Sequence, residues 1–154
     1  MRHFFQSAPM VYSAVGKLAV ENAEPAQVEE LKEVQRRFRV ACEAGETHAM
    51  ALHNYRFHEL MGQMSGNLYL MPSLRRLLID HTRMSQKFYR PVNSKERLMI
   101  WDACDQHDAM IAAIEENDGE KIVALTMEHW ELSRNRMEKY ARPDPLKFDL
   151  KEAG

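Results

Sequence analysis

The stretch His53-Asn54-Tyr55-Arg56-Phe57-His58-Glu59-Leu60-Met61-Gly62-Gln63-Met64-Ser65-Gly66-Asn67 decides how this chain is read. Asn54 and His58 stand one helical turn apart, about 40° around the axis, and share a face with Ala51 and Met61. An amide and an imidazole turned toward an apolar core need partners there, because a buried polar group without one costs on the order of 1–3 kcal/mol. His53 is a control: it lies five residues before His58, about 140° around the helix, so the two cannot face the same core.

The same oddity recurs downstream. Ile100, Cys104, His107, Ile111 and Ile114 step at helical spacing, with His107 in the middle of the stripe. Ile122, Leu125, His129 and Leu132 form another such stripe, which turns His129 inward. His48 and His3 fall outside these stripes, and His81, beside Asp80, can turn either way. Three inward histidines and an inward asparagine thus come from three segments of one small domain. Two readings stand. Each group is satisfied separately by a carbonyl or a neighbour, or the four share a divalent metal ion. Neutral imidazole nitrogens suit Zn, Ni, Cu, Fe or Mn, and an amide oxygen is a weak, hard ligand.

Around these stripes, punctuation predicts about six helices. The first runs from Ala8 to Asn22. The second starts at Pro25 and ends at Gly45. The third runs from Thr47 to Met64, and the fourth from Leu68 to Tyr89, stopped by Pro91. Asn93 with Glu96 opens the fifth, Asn117-Asp118-Gly119 turns it into a sixth, and the pattern fades near Arg142-Pro143. No segment alternates with period two, so the expected fold is all-α, an antiparallel bundle around a central metal or ligand cavity. At 154 residues the chain is about one domain, and its eleven Met residues suit packing between helices. A net charge of −2 gives no basic footprint for nucleic acid, and the clusters at Gln35-Arg36-Arg37 and Leu74-Arg75-Arg76 read as solvated helix faces. Cys42 and Cys104 lack CxxC spacing and read as reduced, buried thiols. No apolar run spans a bilayer and no signal pattern opens the chain. The expected location is the cytoplasm, with no membrane partner.

These residues also carry a family resemblance. Asn54-Tyr55-Arg56-Phe57-His58 followed by Ser65-Gly66-Asn67 resembles the D-x-x-F-H … S-G-N signature of the FCD domain, the ligand-sensing C-terminal domain of FadR-type regulators in the GntR transcription-factor family. Gln106-His107 through Ile114, then Asn117-Asp118, is similar to that family's E-H-x-x-I-x-x-A-I-x-x-x-D run. Met127-Glu128-His129-Trp130 resembles its closing histidine motif, and Leu18-Ala19-Val20-Glu21-Asn22-Ala23 its first-helix motif. The resemblance covers roughly Val11 to Tyr140 and implies a homodimeric bundle with a metal in its centre. Asn54, His58, His107 and His129 would be the ligands, and Zn, Ni or Mn the expected ions. The family more often has Asp where this chain has Asn54, which would leave the ion its full charge, weaken its hold and favour an anionic effector. That effector would be a small organic acid on the open coordination positions, with Arg83 or Arg76 as the clamp on its other end.

The resemblance also sets the expected organisation: a remnant or linker over residues 1–7, a sensing bundle over 8–142 and a tail over 143–154. The family's winged helix-turn-helix domain is expected to be absent from this chain, through truncation, a start placed too late, or a natural single-domain form. DNA would then be a partner only through that missing domain. The rival functions are a metal-dependent hydrolase and a metal-free helical dimerisation module. The hydrolase needs a carboxylate base near its water, and Glu59 and Glu128 lie about 100° from the neighbouring ligand candidates on their helices. The regulator is therefore the expected role, not an enzyme.

Overall fold

The computed structural model describes residues 1–141, with side chains through residue 137. Its elements are α1 (Arg2–Asn22), α2 (Pro25–Ala44), α3 (Thr47–Met64), α4 (Leu70–Met84), a short 3-10 turn (Ser85–Lys87), α5 (Ser94–Glu115) and α6 (Gly119–Ala141). The described residues form an all-α bundle of six helices. The expected tail over 143–154 lies outside them.

Most boundaries follow local chemistry. Pro25 opens α2 behind a cap in which the Glu24 N–H donates to Gln27 Oε1 at 3.0 Å. Gly45 closes it at φ 67, the left-handed conformation that Gly adopts without penalty. Asn93 Oδ1 accepts from the Glu96 N–H at 2.9 Å, while Glu96 Oε2 reaches back to the Val92 N–H at 2.9 Å. Asn117 turns at φ 55, and Asp118 Oδ1 accepts from the Lys121 N–H at 3.0 Å to start α6.

Three boundaries differ from expectation, the least being the start of α4 at Leu70 rather than Leu68, where Asn67 Oδ1 accepts from the Tyr69 and Leu70 N–H groups. The first helix begins at Arg2 rather than Ala8 and carries Pro9 inside it. Proline removes one backbone hydrogen bond, yet the extra turns bury Phe4 and Ala8 in a cluster with Leu77, Trp130 and Met137. Tertiary burial outweighs the local penalty. The fourth helix ends at Met84, not Tyr89; the 3-10 turn follows, and Phe88 and Tyr89 fold back to pack beside Phe38 and Ile100.

Short connections do not make every sequential pair neighbours. α1 and α2 share no packed face, because Ala23 and Glu24 are both extended and carry the chain away. α1 packs chiefly on α6, α2 lies between α3 and α5, and α5 packs on α6. The faces of α3, α5 and α6 thereby converge. α3 and α4 pack tightly at Gly62, where an added Cβ would clash with Leu74 Cδ2 and lie 2.8 Å from Met71 Sδ. Leu74 is itself core, so it has little room to retreat. Gly62→Ala should therefore destabilise the bundle by a net of about 1 kcal/mol, although Ala is the better helix former. A urea midpoint that rises instead would show that α4 gives way freely.

Candidate metal centre

His58, His107 and His129 meet in the interior, each offering a ring nitrogen within 4.8 Å of the other two. Their ring centroids are 5.2 Å (His58–His107), 5.1 Å (His58–His129) and 4.8 Å (His107–His129) apart. α3 supplies His58, α5 supplies His107 and α6 supplies His129. His107 is wholly buried and stacks on Phe57 at 3.9 Å and 6°. On α6 the buried stripe is Ile122, Thr126, Trp130, Ser133 and Met137, one residue round from the expected one, so His129 sits half-buried at its flank.

Hydrogen bonds fix which nitrogen faces inward. His107 Nδ1 lies 3.0 Å from Gln35 Oε1, and His129 Nδ1 lies 2.8 Å from Gln106 Oε1. An amide oxygen only accepts, so each ring donates its Nδ1–H and each Nε2 is left as a lone pair. The orientation of Gln35 is set independently: its Nε2 donates to the Cys104 carbonyl at 2.8 Å and to Asp108 Oδ1 at 3.1 Å. His58 Nε2 stands 3.3 Å from His129 Nε2. Two lone pairs at that distance repel unless His58 donates a proton or a cation lies between them. Two nitrogens bound to one tetrahedral zinc ion, at bonds of about 2.0 Å, stand about 3.3 Å apart.

Asn54 is buried one turn before His58, and its Oδ1 has no hydrogen-bond partner; neither has His107 Nε2. His107 Nε2 is thus an unpaired acceptor among converging imidazoles, which is what a cation site requires. Burial lowers the proton affinity of all three histidines, and neighbouring imidazoles add to it; His129 falls to about 3. They are neutral, the form that binds metal.

Beside the triad lies a cavity of about 20 Å3, lined in part by Tyr12, Leu74, His81, Met110 and Trp130. It holds about one water, so the expected central ligand cavity is nearly filled by side chains. His81 turns inward: its Nδ1 pairs with the Tyr12 hydroxyl at 3.0 Å, and burial lowers it to about 4. The expected arginine clamp is not brought here. Arg76 and Arg83 are each about three-quarters exposed and paired with Asp80, at 3.4 Å and 3.2 Å. The inward face of α4 is Leu74, Leu77, Leu78 and His81, which leaves both arginines on the opposite, solvated side.

Sequence reasoning missed Gln35, Gln106 and Tyr12. Gln35 had a signal, since Leu31, Gln35, Phe38 and Ala41 form one helical stripe. Gln106 stands on a half-buried flank, and its signal was its place at the head of the E-H-type run.

The FCD domain profile matches residues 10–132. The chain belongs to the FCD domain family. Comparison with curated protein sequences gives no match. Among solved structures, the fold is similar to E. coli McbR/YncC, a GntR-family regulator, at a TM-score of 0.79 and 18% identity. The alignment covers 92% of this chain and 65% of that one, so this FCD domain spans about two thirds of the regulator's length. Among the described residues no helix is long and apolar enough to cross a membrane.

A pH dependence follows from the lowered histidines. Below about pH 6.5 the unfolded chain takes up protons that the folded chain refuses, so stability falls with pH. The metal-free protein should lose up to about 1.4 kcal/mol per pH unit for each such histidine as pH drops from about 6.5 toward about 4. Urea midpoints through this range check it; a flat profile would mean that the rings are not held neutral.

Proposed function

We propose that this FCD domain binds a divalent metal through Asn54, His58, His107 and His129, and that the loaded centre receives a small carboxylate effector for a GntR-type regulator. The observation that carries the reading is the pair of glutamine-bonded tautomers, which leave Nε2 of His107 and His129 as lone pairs, that of His107 buried with no hydrogen-bond partner. The bound ion would supply positive charge and open coordination positions for an anionic oxygen. Zn, Ni or Mn fits a nitrogen-rich set with one amide oxygen. The intact regulator would work in the cytoplasm as a homodimer, and DNA would be contacted by a winged helix-turn-helix domain outside this chain.

The small size of the cavity gives the mechanism its shape. About 20 Å3 does not admit an organic acid, so the acid binds only to an arrangement in which Tyr12, Leu74, Met110 or Trp130 has moved. Binding and helix displacement are then one event, and the effector acts by shifting the population toward the opened bundle. With Arg76 and Arg83 facing solvent, the Tyr12 hydroxyl and the His81 imidazole are the polar groups placed to meet the distal end of the acid. This replaces the guanidinium clamp with weaker, neutral hydrogen bonds.

A hydrolase is disfavoured, because none of the residues lining the cavity is a carboxylate able to act as general base, and Glu59 is engaged with Arg75 at 3.3 Å.

Elemental analysis and zinc titration test the proposal. The purified chain should bind one equivalent of zinc, and His107→Ala with His129→Ala should abolish it together with any carboxylate-induced rise in melting temperature. Retention of carboxylate binding after metal removal would overturn the bridging role. Asn54→Asp should tighten zinc by about tenfold, or 1.4 kcal/mol, through the added negative charge. Unchanged affinity would exclude position 54 from the ligand set.

A further inference from the structure

Gln35 is buried on α2 and stands between a surface ion pair and one of the converging histidines. Its Oε1 accepts the Nδ1–H of His107 at 3.0 Å. Its Nε2 donates to the Cys104 carbonyl at 2.8 Å and to Asp108 Oδ1 at 3.1 Å. Both of those partners are acceptors, so the amide cannot turn over without setting its oxygen against a carbonyl and a carboxylate. The second carboxylate oxygen of Asp108 accepts from the Arg39 guanidinium, which also stands 3.6 Å from Asp105 and over the Trp101 ring at 5.9 Å. Asp108 therefore reaches His107 through two consecutive hydrogen bonds. Its side chain and that of Arg39 are both partly exposed, so either can be changed without opening the core.

We propose that Asp108 and Arg39 are opposed positioning residues for the metal centre: Asp108, acting through Gln35, makes His107 the better electron-pair donor, and Arg39 holds that effect in check. The proposal rests on the metal reading above. Asn54 and three neutral imidazoles bring no negative charge to a divalent ion, so a carboxylate linked to the set by hydrogen bonds matters more than it would beside an acidic ligand. A charge-assisted bond from the amide N–H to Asp108 polarises the amide and makes its oxygen the stronger acceptor. The Nδ1–H of His107 is then held more tightly, and Nε2 gains electron density, as when a ligand imidazole donates to a carboxylate directly. The Arg39 guanidinium acts in the other direction, because a cation on the far oxygen offsets part of the charge that the amide feels. A purely structural pair would behave differently, since losing either partner would loosen the same contact between α2 and α5.

The test measures zinc affinity of the full chain by competition with a chromogenic chelator, for Asp108→Asn and Arg39→Gln. Asp108→Asn keeps an oxygen for Gln35 Nε2 but removes the charge, and should weaken zinc by about tenfold, the low end of what lost outer support costs. Arg39→Gln should tighten it by about threefold, a smaller change because solvent screens the guanidinium. Effects of the same sign, or no effect of either change, would overturn the proposal while leaving the metal reading intact. On a Gln35→Met background, Asp108→Asn should have no further effect; an undiminished effect would mean that the charge acts through space and not through the amide. Should Asp108→Asn fail to fold, Arg39→Gln decides alone, and an affinity that does not rise overturns the idea. A second readout needs no metal. The His107 Nδ1–H proton resonance of the metal-free protein should move upfield in Asp108→Asn and downfield in Arg39→Gln. If the unaltered chain binds no zinc, the metal reading has failed by itself, and a resonance fixed in both variants would then overturn this proposal as well.

Discussion

The amide oxygens of Gln35 and Gln106 can only accept hydrogen bonds, and the chemistry of the interior follows from that constraint. Each obliges its histidine to donate from Nδ1, so two imidazoles present lone pairs rather than protons to the middle of the bundle. The Nε2 of His58 arrives within 3.3 Å of one of them. His58 can satisfy the lone pair of His129 by donating its Nε2–H, whereas the lone pair of His107 Nε2 has no hydrogen-bond partner. The fold tolerates this arrangement because the surrounding packing over-determines it: Phe57 stacks on His107, and Phe38 lies close against the same ring.

That packing also limits what the site can accept. Tyr12, Met110 and Trp130 occupy the space where a central ligand chamber was expected, which leaves room for about one water. A sensor benefits from this. A cavity that stays open binds its ligand without consequence, whereas a closed one makes binding conditional on rearrangement. α4 meets α3 at the Gly62 contact and carries His81 inward and Arg76 and Arg83 outward.

Much of this was legible in the sequence because helical periodicity is strict. The spacing from Asn54 to His58 and the stripe through His107 set their faces correctly, and Ser65-Gly66-Asn67 marked the end of α3. The stripe through His129 was read one residue off, because Thr126 and Ser133 are buried on the true core face and polar residues hide a stripe from a hydropathy reading. Pro9 concealed the first turns of α1 for a related reason: the local rule was sound, but Phe4 found burial against Trp130 from the far end of the chain. Arg76 and Arg83 lie on the solvated side, and nothing in their spacing reveals that Asp80 engages both. Gln106 was visible as the head of the E-H-type run, but its bond to His129 was not, since that depends on the approach of α6 to α5 and not on its own helix.

X-ray absorption at the zinc edge of the loaded protein tests the central claim most directly. Convergence of the three imidazoles predicts a first shell of nitrogen and oxygen at about 2.0–2.1 Å, with the outer-shell scattering of three rings and no sulfur. A sulfur shell at about 2.3 Å would move the metal to the cysteines, and an oxygen-only shell without imidazole scattering would leave the histidines with no ion to share. Either result would contradict the account.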